Sequence, residues 1–196
     1  QRSIDTVMEY MRQSDEKNIP KLIIDSIKMA NRAVYRDVID RGVDASTTIT
    51  VAVIVEGRVY IGNVGDSRAY WIQQSGKMRQ LTRDHSYFNI YGGDQDSENA
   101  EMLVNAIGLK EDVYVDIGFY LDEDDQKEAI ALGKMGLPLK LGEAILLCSD
   151  GLIKSNLQDE RYVTDEEIID AVQSELQPNA AAVKLCSYAE GRNVDD

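Results

Sequence analysis

The chain has 196 residues, 43% hydrophobic and 29% charged, enough for one globular domain that needs neither disulfides nor a structural metal to fold. Its 35 acidic and 21 basic side chains give a formal charge of −14, which excludes an ordinary nucleic-acid binder, whose phosphate partner would be repelled. No apolar run nears the ~20 residues of a membrane span, and no C-x-x-C metal or redox motif is present.

Residues 1–13 carry Ile4, Val7, Met8 and Met11 at helical spacing, and residues 19–41 resume that period after a polar break. Gly42 is placed to stop this second helix. The period then changes to that of strands. Residues 47–55, 58–64 and 67–73 read as consecutive antiparallel strands, with turns at Glu56-Gly57, Gly65-Asp66 and Ser75-Gly76-Lys77. A short fourth strand is expected at 78–81, and a flexible loop at 91–99. "VYVDIGFYL" (113–121) reads as another strand, and "DEDDQKE" (122–128) as a solvated acidic stretch. "LPLKLGEAILLCSDGL" holds a turn and a buried strand.

Thr164 followed by Glu167 is a capping box, so a helix is expected over 164–176. A last helix, 179–191, should stop at Gly191. Helices followed by a run of short strands, then strands and helices, predict an α+β fold with antiparallel sheets. Cys148 and Cys186 lie in apolar runs and read as buried thiols outside any disulfide, which fits a reducing, cytoplasmic setting.

Four acidic positions stand where apolar segments end: Asp66, Asp84, Asp150 and the pair Asp195-Asp196. Hard divalent cations prefer oxygen ligands, and strand-end carboxylates meeting at one sheet edge would supply them. Taken singly, each Asp beside a Gly is explained as well by turn chemistry.

The ordered set "NVGDSRAY" (63–70), "LTRDHS" (81–86), "LLCSDGL" (146–152) and a terminal acidic pair resembles the metal-dependent Ser/Thr protein phosphatases of the PPM, or type 2C, family. "ANRAVY" (30–35), "TTITVAVI" and "NAIGLKEDVYVDI" extend the likeness over nearly the whole chain. The resemblance implies an antiparallel β-sandwich flanked by helix pairs, a four-layer αββα stack. It implies two Mn²⁺ or Mg²⁺ ions, with a third bound more weakly. Water activated by the metals would attack the phosphorus of phosphoserine or phosphothreonine in a protein substrate, placing the enzyme in a Ser/Thr kinase signalling pathway.

Carried over residue by residue, Asp150 is a metal ligand, Asp195 or Asp196 is another, and Asp66 serves the third ion with Asp150. No residue is assigned as nucleophile, general acid or general base. His85 is expected to orient ligands rather than transfer protons, and Arg68 to pair with Asp66 or Asp84 or to reach phosphate. Cys148 is expected in the core, and Tyr70 and Trp71 at core and rim.

The family places an early acidic dipeptide and an Asp-Gly with further glycines before its first helix, and a last strand after the acidic pair; none is in this sequence. Gln1 falls near the start of the family's first long helix. The expectation is one catalytic domain over 1–196, truncated at both ends. The alternative is a catalytically incomplete module that regulates or binds a protein partner.

Overall fold

A computed structural model describes residues 1–95, 97–121, 125–153, 163–175 and 177–192. The first two helices form as the spacing predicts, α1 over Arg2–Gln13 and α2 over Ile19–Arg41. The Asn18 side chain caps α2 by accepting from the Lys21 N–H, and Gly42 ends it in the left-handed conformation. Strands follow as β1 (Ile49–Val55), β2 (Arg58–Val64), β3 (Arg68–Ile72) and β4 (Met78–Gln80). The rest comprises α3 (Tyr87–Tyr91), α4 (Gln126–Met135), β5 (Leu137–Pro138), β6 (Ala144–Cys148), a 3-10 turn at Asp150–Leu152, α5 (Asp165–Ser174) and α6 (Pro178–Arg192).

All pairing is antiparallel, in two three-stranded sheets ordered β1-β2-β5 and β4-β3-β6. The chain changes sheet between β2 and β3, at the Gly65-Asp66 turn. Strand alternation then sorts the side chains. On β2, Val64 and Tyr60 face α1 and α2 in a cluster with Val7, Ile23 and Ile27, while Val59 and Ile61 face the other way. On β3, Ala69 and Trp71 join Val59 and Ile61, with Leu81 and Phe119, whereas Tyr70 and Ile72 pack with Ile168, Ala171 and Leu185 of α5 and α6. Each sheet is thus apolar on both faces. That explains the near-continuous hydrophobic runs in its strands.

Gly62 sets the closeness of the first layer. A side chain there would run into Ile23 Cγ2, so α2 sits directly on the β2 backbone.

Several expectations are corrected. Residues 113–121 are extended but form no regular strand. Asp116 bridges Asn63, Phe119 N–H donates to Ala129 O, and Tyr120 N–H donates to Leu81 O, so the segment divides its bonds among three partners. The acidic stretch runs into α4, whose first turn is capped by the Asp125 carboxylate accepting from Lys127 and Glu128 N–H; residues 122–124 lie outside the described residues. The short α3 runs through Tyr91, the first residue of the expected 91–99 loop.

β6 is half-buried rather than buried: it edges its sheet among the described residues, and Leu147 is 41% exposed. Cys148 accordingly only fringes the α5–α6 core, and Cys186 is exposed on α6. Gly191 does not stop α6, which continues to Arg192; the Arg192 guanidinium holds Glu167 at 2.6 and 2.7 Å and so ties the end of α6 to the start of α5. The Thr164–Glu167 capping box is present.

Candidate metal-binding site at the sheet crossing

The site is built where β2 leaves the first sheet. Gly65 has φ +110, and a side chain there would collide with Thr48, so only glycine fits this turn. The turn is held from several directions. Asn63 Nδ2 donates to Gly65 O at 3.1 Å, and His85 N–H donates to the same oxygen at 3.0 Å. Gly65 N–H in turn donates to His85 Nδ1 at 3.2 Å. Thr48 and Ser67 hydroxyls meet at 2.7 Å, and the Thr50 hydroxyl donates to Asn63 Oδ1 at 2.7 Å. Asp66 is the half-buried residue that this clamp presents.

The β3–β6 ladder pairs Arg68 with Cys148. Two residues further out on either side stand Asp66 and Asp150. Asp150, itself exposed, opens the 3-10 turn after β6, and its carbonyl accepts from Ile153 N–H at 2.8 Å. The turn therefore rests on the Asp150 backbone. Burial raises the Asp66 carboxyl above its ordinary pKa, and the nearby negative charge of Asp150 raises it further. The destabilised charge of Asp66 is what an added cation would relieve, and an all-oxygen donor set suits a hard divalent ion. Among the described residues, no group of three or more His, Cys, Asp or Glu is arranged to hold a metal; Asp195 and Asp196 lie outside those residues.

Asp84 has another role. Arg68 Nε donates to both its oxygens at 3.0 Å and Nη2 to Oδ2 at 2.7 Å, a bidentate pair. Burial opposes the charge on Arg68, but the Asp84 bonds outweigh it and raise the guanidinium pKa. Of the alternatives for Arg68, it takes Asp84. Its charge still acts on Asp66, against the raising influence of Asp150 and Asp84.

Sequence reasoning missed the group behind His85. The imidazole has no exposed surface. Its Nδ1 receives both Gly65 N–H and Asn105 Nδ2, the latter at 2.7 Å, so Nδ1 is the unprotonated nitrogen and Nε2 carries the hydrogen. Nε2 faces Asp116 Oδ2 at 3.9 Å, too long for a hydrogen bond, so the attraction is coulombic. Burial would raise the Asp116 carboxyl. The facing His85, the Tyr120 hydroxyl at 2.6 Å and Gly118 N–H at 2.9 Å outweigh burial and hold it below its ordinary value. The available signal was an Asp inside an otherwise apolar run, "VYVDIGFYL".

Residues 3–90 match the family Protein phosphatase 2C. The serine/threonine phosphatase stp of Listeria innocua is 33% identical over 114 residues, 54% of this chain and 38% of that protein. Probable protein phosphatase 2C 44 of Oryza sativa is 26% identical over 219 residues, covering 98% of this chain and 62% of that one. The chain thus spans about two fifths of the bacterial relative's length and less than two thirds of the plant one's.

Among solved structures, PppA, a key regulatory component of T6SS in Pseudomonas aeruginosa, superposes with a TM-score of 0.72 at 21% identity, over 99% of this chain and 75% of that one. The catalytic domain of the phosphatase PstP, in complex with two manganese ions, superposes with a TM-score of 0.69 at 21% identity, over 98% of this chain and 74% of that one. Residues 3–90 thus carry the likeness to the Protein phosphatase 2C family, and the chain as a whole shares the fold of solved phosphatases.

Proposed function

We propose that residues 1–196 are the catalytic domain of a protein phosphatase that hydrolyses phosphoserine and phosphothreonine with the help of Mn²⁺ or Mg²⁺. The observation that carries this reading is the placement of Asp66 at the sheet crossing, on a clamped turn and near enough to Asp150 for that charge to raise its carboxyl. Asp150, with Asp195 or Asp196, would hold two ions; Asp66 would join Asp150 on a third. When bound, such ions would screen the phosphoryl oxygens and make water acidic enough to react near neutral pH.

The chain's own part is placement. Asn63 and His85 fix the Gly65 carbonyl and so the direction in which Asp66 leaves the turn. The 3-10 turn at Asp150–Leu152 brings the second carboxylate to the same edge. Arg68, anchored on Asp84, keeps a positive charge beside the pair without occupying it. His85, enclosed and committed on Nδ1, positions Asp66 and does not shuttle protons. The two sheets back to back, with α1–α2 outside one and α5–α6 outside the other, support the four-layer sandwich. A Ser/Thr kinase pathway and a cytoplasmic setting belong to the same proposal.

The test is hydrolysis of a phosphothreonine peptide by the full-length protein with Mn²⁺. Asp150→Ala should lower kcat/KM at least about 100-fold, on the scale of losing a charge-stabilising group. Activity that survives EDTA and Asp150→Ala alike would overturn the reading. No activity in the wild type with Mn²⁺ or Mg²⁺ would favour a catalytically incomplete phosphatase-like module.

A further inference from the structure

A cleft of about 640 Å³ opens beside the carboxylate pair, lined among others by Arg68, Arg83, Asp84, Asn89 and Tyr120. Arg68 and Asp84 belong to both places, so the cleft adjoins the sheet crossing. Its charges do not cancel. The Asp84 carboxylate is spent on Arg68, with three hydrogen bonds between them. Arg83 is half-buried; its Nη2 donates to the Asn89 carbonyl on α3, and its guanidinium lies 6.0 Å from the Tyr120 ring centroid. No carboxylate pairs with Arg83 among the described residues.

That is an unusual state for a guanidinium in a chain of formal charge −14. Among the described residues the Asn89 carbonyl is the acceptor recorded for it, and Arg83 lines the cleft. The contacts it does make fix its plane and reduce the entropy lost when it binds an oxyanion.

We propose that this cleft is a docking subsite for an oxyanion side chain of the substrate, a carboxylate or a second phosphate, flanking the residue that reacts. The inference rests on the phosphoprotein reading of the neighbouring site. A guanidinium half withdrawn from water interacts more strongly with an anion than an exposed one does. The carboxylates elsewhere on the surface are screened beyond roughly 8 Å at physiological salt, so the net negative charge does not close the cleft to acidic segments. α3 contributes Phe88 and Asn89 to the lining and its C-cap Gly92 a third residue, so its position sets the width of the subsite.

The experiment separates docking from catalysis by working in EDTA. Fluorescent peptides carrying three glutamates, three glutamines, or one phosphoserine among glutamines are titrated against the full-length protein and followed by anisotropy. The glutamate and phosphoserine peptides should bind about tenfold more tightly than the glutamine peptide, on the scale of one charge-assisted bond. Arg83→Ala should abolish that preference, and Arg83→Lys should keep part of it as a point charge without the planar fork. A preference seen only with phosphoserine identifies phosphate as the ligand; one seen with both identifies any oxyanion. Equal binding of all three peptides by the wild type, or an undiminished preference in both variants at unchanged unfolding midpoint, would overturn the proposal. Peptide binding of the predicted kind in a protein that fails to hydrolyse phosphopeptide with Mn²⁺ would leave the subsite standing and remove the catalytic reading.

Discussion

Replacing His85 with alanine should loosen the site more than it disturbs the rest of the fold. The imidazole is fully enclosed, and its Nδ1 is the acceptor for the Gly65 N–H. Alanine leaves that N–H without a partner, a loss of about 1–3 kcal/mol for a buried donor. It also opens a void the size of the ring; comparable truncations in packed interiors cost about 2–5 kcal/mol. The two contributions overlap, because the lost bond is one of the lost contacts. Asn105 Nδ2 keeps its second acceptor, the Tyr114 carbonyl at 2.7 Å, so it adds little. A total of about 3–4 kcal/mol follows.

For a chain of this length, each kcal/mol moves the thermal midpoint by about 2–4 °C, so the midpoint should fall by roughly 10 °C. Urea unfolding followed by circular dichroism should show the same loss through the midpoint with an unchanged slope. His85→Gln, whose amide oxygen can accept from Gly65, should recover part of the stability and of the Mn²⁺ affinity. A loss under about 1 kcal/mol in His85→Ala, or a glutamine variant no better than alanine on either measure, would refute the positioning role.

Gly62→Ala should lower stability by about 1–3 kcal/mol, the usual cost of overpacking, because its methyl meets Ile23 in the α2–β2 contact; a neutral effect in urea unfolding would mean that α2 can retreat at little cost. The Glu167 carboxyl is pulled down to about 2 from its usual 4.5 by Arg192 first, with Thr164 N–H helping. A depressed carboxyl contributes stability that is present above its unfolded value and lost as pH falls through the folded one. The difference in stability between wild type and Arg192→Ala should therefore be constant above about pH 5 and vanish towards pH 2. Because the pair is exposed and screened by solvent, the difference should be small. A difference that grows as the solution is acidified would contradict the assignment.

Much of the fold was legible because its period is local. Val7 and Met11, Ile23 and Ile27 mark helix faces, and the run from Ile49 to Ile72 marks strands whatever they pack on. What escaped depends on partners far along the chain. Residues 113–121 carry strand-like side chains, but their backbone bonds go to Asn63, Leu81 and Ala129 in turn, which no local pattern reveals. α4 was hidden by the acidic run before it and by Gly133 within it, although Asp125 is an N-cap signal. Gly191 looked like a stop, yet the Arg192–Glu167 pair carries α6 past it. Cys186 looked buried because α6 is rich in alanine and shows no distinct apolar face; Ala181 and Leu185 are its buried residues.

At the site, the motifs single out Asp66 and Asp150 as candidates. His85 could be read as a positioning group, but its partners Asn105 and Asp116 could not, since they lie 20 and 31 positions away and their chemistry appears only on contact.

The central claim is that Asp66 and Asp150 act on one bound cation. It is tested most directly by titrating Mn²⁺ into the full-length protein and into Asp66→Asn, Asp150→Asn and the double variant, with the bound ion followed by electron paramagnetic resonance. Shared ligation predicts weaker binding at that site in each single variant and a double variant little worse than the poorer single one, a coupling well above the ~0.5 kcal/mol scatter of independent positions. Additive losses, or Mn²⁺ affinity unchanged in both single variants, would contradict it.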